Sequence, residues 1–168
     1  MPSRADPGLF IKRFGSEGTV YVLVWVDDLI VGPCSLVATV HSAVRRAFDS
    51  VDLGPAKLFL GMELVRAKNR VALCQAGLIR SMLERFQLRD CRSVCTPLDP
   101  RTQLKKEGTP LTAEECGRYA EMVGCLLYVA VCTRPDIQFA ASALVRYMSC
   151  PTRELMVQVF RCLAQWIL

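Results

Sequence analysis

The sequence predicts an α+β fold in which antiparallel strands with a packed helix are followed by helices alone. Three observations predict it. Apolar stretches that double back through turn residues occupy 9–31 and 57–74, the signature of hairpins. From residue 112 onward, apolar residues recur at helical spacing behind a capping box. Between the two regimes, residues 91–111 hold Pro97, Pro100, Pro110 and Lys105-Lys106-Glu107-Gly108, a composition that interrupts both periodicities.

The first half reads as strands. Residues 9–13 and 20–26 are strands joined by the turn Gly15-Ser16-Glu17-Gly18. On the second strand Tyr21, Leu23 and Trp25 share one face, and Val20, Val22, Val24 and Val26 the other. With both faces apolar, this strand is expected to be central and covered on both sides. After Asp27-Asp28 a short strand follows at 29–31. Pro33-Cys34-Ser35 then opens a helix with Ser35 as its N-cap, in which Val37, Val40, Val44 and Phe48 follow helical spacing and Arg45 and Arg46 are expected to reach solvent. A turn at Asp52-Leu53-Gly54-Pro55 leads to a strand over 57–66, which Ala67-Lys68-Asn69-Arg70 returns into 71–74.

The second half reads as helices. One runs from about Gln75 to Leu88 with Ile79, Leu83 and Phe86 on one face. Thr112-Ala113-Glu114-Glu115 caps the next, which continues through Tyr119, Met122, Val123, Leu126, Leu127 and Val129. Thr133-Arg134-Pro135-Asp136 breaks it, with Pro135 suited to the first turn of a helix reaching about Met148. Pro151-Thr152 opens a last helix that continues to Leu168.

Composition bounds the function. At 168 residues the chain is the size of one domain, or of one domain with a helical extension. Hydrophobic residues make up 52%, enough for a core, and the 22% of charged residues argues against disorder. The longest apolar runs, 20–26 and 122–132, are too short to span a bilayer, and residues 1–8 carry no apolar signal segment, so no membrane partner is expected. The net charge of +5 admits a polyanionic partner without demanding one. Arg101, Lys105 and Lys106 could touch nucleic acid, but solvation is the default reading of such charges. Nine Cys, an odd number without framework spacing, fit a reducing intracellular setting. Cys91 and Cys95 lack a Cys-x-x-Cys partner and a nearby His, which argues against zinc.

Chemistry concentrates at Asp27-Asp28, two adjacent carboxylates inside the run Val24-Trp25-Val26-Asp27-Asp28-Leu29-Ile30-Val31-Gly32. Burying such charges is costly unless they are neutralised or hold a metal, and carboxylate oxygens suit Mg²⁺. The competing reading is a hairpin tip that exposes both to water. Asp-Asp is a poor two-residue tip, however, because the favoured tips tolerate positive φ.

Further blocks follow in order. They are Gly8-Leu9-Phe10-Ile11-Lys12, the acidic run, Asp52-Leu53-Gly54-Pro55-Ala56-Lys57-Leu58-Phe59-Leu60-Gly61-Met62-Glu63 and Leu83-Glu84-Arg85-Phe86. Cys91-Arg92-Ser93-Val94-Cys95-Thr96-Pro97-Leu98, Tyr119, Val123-Gly124, Leu127-Tyr128 and Cys132-Thr133-Arg134-Pro135-Asp136-Ile137-Gln138-Phe139-Ala140 come next, then Leu144, Arg146-Tyr147-Met148 and Pro151. This ordered set resembles the reverse transcriptase of copia-type LTR retrotransposons, from about residue 8 to about residue 163.

The resemblance implies the C-terminal half of a polymerase palm with its primer-grip hairpin (1–74), a thumb-like helix (75–95), a linker (96–111) and a helical bundle (112–168) leading toward an RNase H domain. It implies an RNA-directed DNA polymerase that uses two Mg²⁺ ions, with RNA or DNA template–primer and dNTP as partners. The setting it implies is a cytoplasmic virus-like particle or the nucleus, and the oligomeric state stays open. Asp27 takes the place of the first Asp of the family's Tyr-x-Asp-Asp box, a metal ligand. Asp28 is the second, contributing to the metal site or to its charge. Trp25 stands where the family usually has Tyr, which is expected to alter contact with the primer end. Phe59, Leu60 and Gly61 resemble the primer grip.

Two departures bear on activity. The family's third carboxylate lies on a strand upstream, whereas only 26 residues precede Asp27, and Asp6 lies in a Pro/Gly turn. Leu155-Met156 stands where the family often has His-Trp. The sequence is therefore expected to be a fragment that does not catalyse alone and that leaves an apolar face of the 20–26 strand exposed. Two alternatives stay open: a non-catalytic nucleic-acid-binding remnant, and a decayed reading frame without function.

Overall fold

The computed structural model describes residues 1–99 and 101–165. It is α+β, as expected, and divides into two compact units, Met1–Ala56 and Lys57–Leu168.

The first unit is a three-stranded antiparallel sheet of β1 (Leu9–Arg13), β2 (Thr19–Trp25) and β3 (Asp28–Gly32), followed by α1 (Val37–Ala47). β2 is central. Phe10 pairs with Val22, Tyr21 with Gly32 and Trp25 with Asp28. Between β1 and β2 the chain turns through Gly15–Glu17, with Gly18 at φ +112 and the Phe14 N–H donating to the Gly18 carbonyl at 2.8 Å. One expectation needs correcting: β2 is not covered on both faces. Val20 is 1% exposed, but on the opposite face Tyr21 and Trp25 stay half exposed. α1 is the single helix of this unit, and one helix serves only one face. Even there an apolar cleft of about 410 Å³ remains, lined by Phe10, Val22, Val40, Val44 and Phe48. Among the described residues, Val20 and Leu36 are the buried hydrophobic residues of the unit, and α1 itself buries none. A second correction concerns Ser35, which does not cap α1. It sits inside a 3₁₀ turn, Cys34–Leu36, and Leu36 takes the cap position without a side-chain bond. Arg45 and Arg46 are solvated.

The second unit begins with β4 (Leu58–Phe59), β5 (Met62–Ala67) and β6 (Arg70–Cys74), an antiparallel sheet in sequence order. The continuous strand expected over 57–66 is broken at Leu60-Gly61, where φ is +51 and +72. Two positive φ values make this a tip of the type I′ kind. Helices α2 (Ala76–Arg85), α3 (Ala113–Cys132), α4 (Gln138–Val145) and α5 (Arg153–Ala164) build the core. Met82, Leu83 and Phe86 from the end of α2 pack with Tyr119, Met122, Leu126 and Val129 of α3, Leu144 of α4, and Leu155, Met156, Val159 and Leu163 of α5. Leu155 and Met156 thus serve as core side chains.

Local chemistry sets the helix ends. The Thr112 hydroxyl accepts from the Glu115 N–H at 3.2 Å, and the Glu115 carboxylate accepts from the Thr112 N–H at 2.9 Å, the reciprocal capping box. The Thr112 amide holds the Glu115 carboxyl below its usual pKa. Thr152 caps α5 through the Leu155 N–H. Pro135 opens the 3₁₀ turn Pro135–Ile137 that precedes α4, and the Arg134 guanidinium forks onto Asp136 at 2.9 and 2.7 Å. α4 stops at Val145, shorter than expected, because residues 146–149 continue as turns.

Residues 96–111 contain no helix or named strand among the described residues, as their prolines dictate, yet they are strapped to the bundle. The Tyr147 hydroxyl donates to the Leu104 carbonyl at 2.8 Å, the Cys162 thiol to the Pro97 carbonyl at 2.9 Å, and Arg161 to Thr96. The Arg153 N–H donates to the Thr109 carbonyl at 2.9 Å, and Leu98, Leu104 and Leu111 pack against the core.

Candidate active site

The acidic pair lies at the β2–β3 hairpin, but its register differs from the sequence expectation. Because Trp25 pairs with Asp28, the two-residue loop is Val26-Asp27 rather than Asp27-Asp28. Asp27 is the second loop residue and Asp28 the first residue of β3. Val26 carries φ +51 and is 82% exposed. The first loop residue of a type II′ hairpin needs this sign of φ and is normally Gly. For a β-branched side chain the left-handed region is a genuine outlier, costing about 1–3 kcal/mol. Strain of this size is typically held where the backbone must present neighbouring groups in one fixed way. Here the neighbours are the two carboxylates, both solvent exposed, with Trp25 half exposed across from Asp28.

The donor set can be tested against a divalent cation. Mg²⁺ is commonly held by one or two carboxylates, with substrate phosphates and water completing its shell. Asp27 and Asp28 fit that mode as a partial set of hard oxygen donors. Among the described residues no group of three His, Cys, Asp or Glu side chains is assembled for a metal. Asp6 does not add to the pair, because its carboxylate accepts the Gly8 N–H at 2.8 Å within its own turn.

Phe59, Leu60 and Gly61 lie in the second unit, at the β4–β5 tip. Phe59 and Leu60 are half-buried and Gly61 is exposed. The sequence does not reveal what holds this tip. The Tyr128 hydroxyl on α3 donates to the Leu60 carbonyl, and burial pushes that phenol's pKa up. Two residues beyond the tip on β5, the Glu63 carboxylate accepts the Gly77 N–H at 3.0 Å at the start of α2. Gln75, 2% exposed, accepts from the Thr133 hydroxyl at 2.6 Å. The hairpin is therefore tied to α3 through Tyr128 and to α2 through its own Glu63, while Gln75 and Thr133 join the start of α2 to the end of α3. Periodicity gave no hint of Tyr128, since it lies on the less buried side of α3.

Residues 1–100 match the model of a family described as reverse transcriptase (RNA-dependent DNA polymerase). The chain belongs to that family. It is 38% identical over 159 residues to the retrovirus-related Pol polyprotein from transposon TNT 1-94 of Nicotiana tabacum, covering 89% of this chain and 12% of that protein. It is 35% identical to the Pol polyprotein from transposon RE1 of Arabidopsis thaliana, over 90% of this chain and 10% of that protein. An uncharacterized mitochondrial protein of Arabidopsis thaliana is 29% identical over 79% of this chain and 55% of its own length. The chain thus spans about a tenth of the two Pol polyproteins. No solved structure matches it. The reverse transcriptase family is one of nucleotidyltransferases, a class that is typically metal-dependent and acts on nucleic acid. Among the described residues, no helix is long and apolar enough to cross a membrane.

Proposed function

We propose that this reverse transcriptase segment supplies the acidic tip and the primer-bearing hairpin of a Mg²⁺-dependent RNA-directed DNA polymerase. RNA or DNA template–primer and dNTP would be its partners. The observation that carries the reading is the strained Val26 turn beside two exposed carboxylates, in a chain of this family. Asp27, fixed by the tight turn, contributes a carboxylate to the cation, and Asp28 adds a second carboxylate or its negative charge. Bound divalent cations supply electrostatic stabilisation of the attacking and leaving oxygens. Trp25 offers an exposed ring to the primer end, and Phe59-Leu60-Gly61 bears on the primer backbone. Asp27 and Asp28 are two of the three carboxylates that such a polymerase site uses, and primer extension by the chain alone is not expected. The division into palm half (1–74), thumb (75–95), linker (96–111) and bundle (112–168) belongs to the same proposal, as does a setting in virus-like particles or the nucleus.

Two measurements test it. In a poly(rA)/oligo(dT) assay with Mg²⁺ or Mn²⁺ the isolated chain is expected to give no extension. Extension abolished by Asp27→Asn would overturn the view that the chain is inactive by itself. Mn²⁺ binding, followed by water-proton relaxation, is expected to be weak in the unaltered chain and lost in Asp27→Asn/Asp28→Asn. Equal Mn²⁺ binding by both proteins removes the acidic tip from the metal site.

A further inference from the structure

We propose that the tip of the β5–β6 ribbon is a sequence-independent phosphate-binding site for a nucleic-acid duplex. Arg66, Lys68 and Arg70 fall within five positions there, and all three are exposed. The register pairs Arg66 with Val71 and Ala67 with Arg70. Paired residues share a face, so Arg66 and Arg70 lie on opposite faces of the ribbon, with Lys68 in the turn between the strands. Residues 64–73 contain no carboxylate. The nearest acid on the ribbon, Glu63, is engaged with the Gly77 N–H.

Among the described residues, six other arginines of this unit are engaged within the chain, whereas Arg80, Arg92, Arg101 and Arg146 are exposed at scattered positions without an ion pair or side-chain hydrogen bond. Arg89 pairs with Glu84 at 2.8 Å, Arg134 with Asp136 at 2.7 Å and Arg153 with Glu115 at 3.5 Å, and Arg85 pairs with Glu121. Arg118 donates to the Phe86 carbonyl and Arg161 to Thr96. Among the described residues, Arg66, Lys68 and Arg70 have no ion pair or side-chain hydrogen bond. Val65, Val71 and Leu73 are all more than half exposed, so both strands stay open toward the tip. Guanidinium forks match phosphate oxygens in pairs, and Lys adds a point charge. A ribbon with cations on both faces and no acid among them is complementary to a polyanionic backbone and to no particular base. The other role open to these cations is to keep an exposed edge from pairing with further strands, which implies aggregation on their removal and no dependence on duplex.

The inference rests on the reading of the chain as part of a nucleic-acid polymerase. It is tested by fluorescence anisotropy of the whole chain with a labelled RNA–DNA duplex, titrated between 50 and 200 mM KCl (about the range in which counterion release is read). The charge-neutral variant Arg66→Gln/Lys68→Gln/Arg70→Gln is expected to weaken binding and to lower the slope of log K against log salt by about 2 to 3. The control Arg45→Gln/Arg46→Gln, taken from the solvated face of α1, is expected to leave the slope unchanged. Circular dichroism reports that both variants fold. If the unaltered chain binds and the ribbon variant keeps its slope, the ribbon proposal is overturned and the polymerase reading stands. An equal fall in slope for the control also overturns it, since charge alone then accounts for the effect. No binding by the unaltered chain overturns both.

Discussion

Leu126→Ala is expected to destabilise the second unit by about 3 kcal/mol, within the usual range of about 2–5 for a buried leucine. Leu126 is 0% exposed on α3, within the cluster that gathers α2, α3, α4 and α5. Removing its isobutyl group loses the transfer free energy and opens a cavity that close-packed neighbours fill only in part. The natural control lies five residues along the same helix. Val131 is 67% exposed, and Val131→Ala is expected to change stability by no more than about 0.5 kcal/mol. Urea unfolding followed by far-ultraviolet circular dichroism separates the two. Equal midpoints for both variants would show that α3 is not the centre of the core.

Alkali is the second lever. Tyr119 and Cys162 are both 0% exposed, and each donates its proton to a backbone carbonyl, Tyr119 to Leu144 at 2.9 Å and Cys162 to Pro97 at 2.9 Å. Burial pushes the Tyr119 phenol from 10.0 up to about 12 and the Cys162 thiol from 9.0 up to about 12. Below pH 9 both groups are protonated in the folded and unfolded states, so their contribution is fully present. As pH rises past 9 and then 10 the unfolded chain ionises while the folded chain keeps its protons, and stability falls until about pH 12. The combined loss is on the order of 7 kcal/mol. Chemical denaturation at pH 8, 10 and 11.5 is expected to show a steep decline. The double variant Tyr119→Phe/Cys162→Val is expected to flatten it while lowering the starting value at pH 8. A decline equally steep in the double variant would assign alkaline unfolding to other groups.

What was legible in the sequence was what local chemistry decides. β1 falls on residues 9–13 as the Gly-bounded apolar run predicts, and the Thr112–Glu115 box closes because its partners are three residues apart. Register was harder to read. The acidic pair was evident, but which two residues form the loop depends on how Tyr21 meets Gly32 across the sheet. A positive φ at Val26 or Leu60 is the opposite of what either side chain prefers, so propensity hid both tips. The strap over 96–111 was visible as a break in periodicity. Its anchors, Tyr147 on Leu104 and Cys162 on Pro97, lie 43 and 65 residues away and leave no trace in a local window. Tyr128, 68 residues from Leu60, was hidden for the same reason.

Val26 sets a cost that glycine would remove. Glycine would relax this turn, and a single base change converts any valine codon to a glycine codon. The first unit has few buried side chains with which to offset a strained backbone. With valine at this position the hairpin tip is held away from its relaxed geometry at the expense of the unit's own stability.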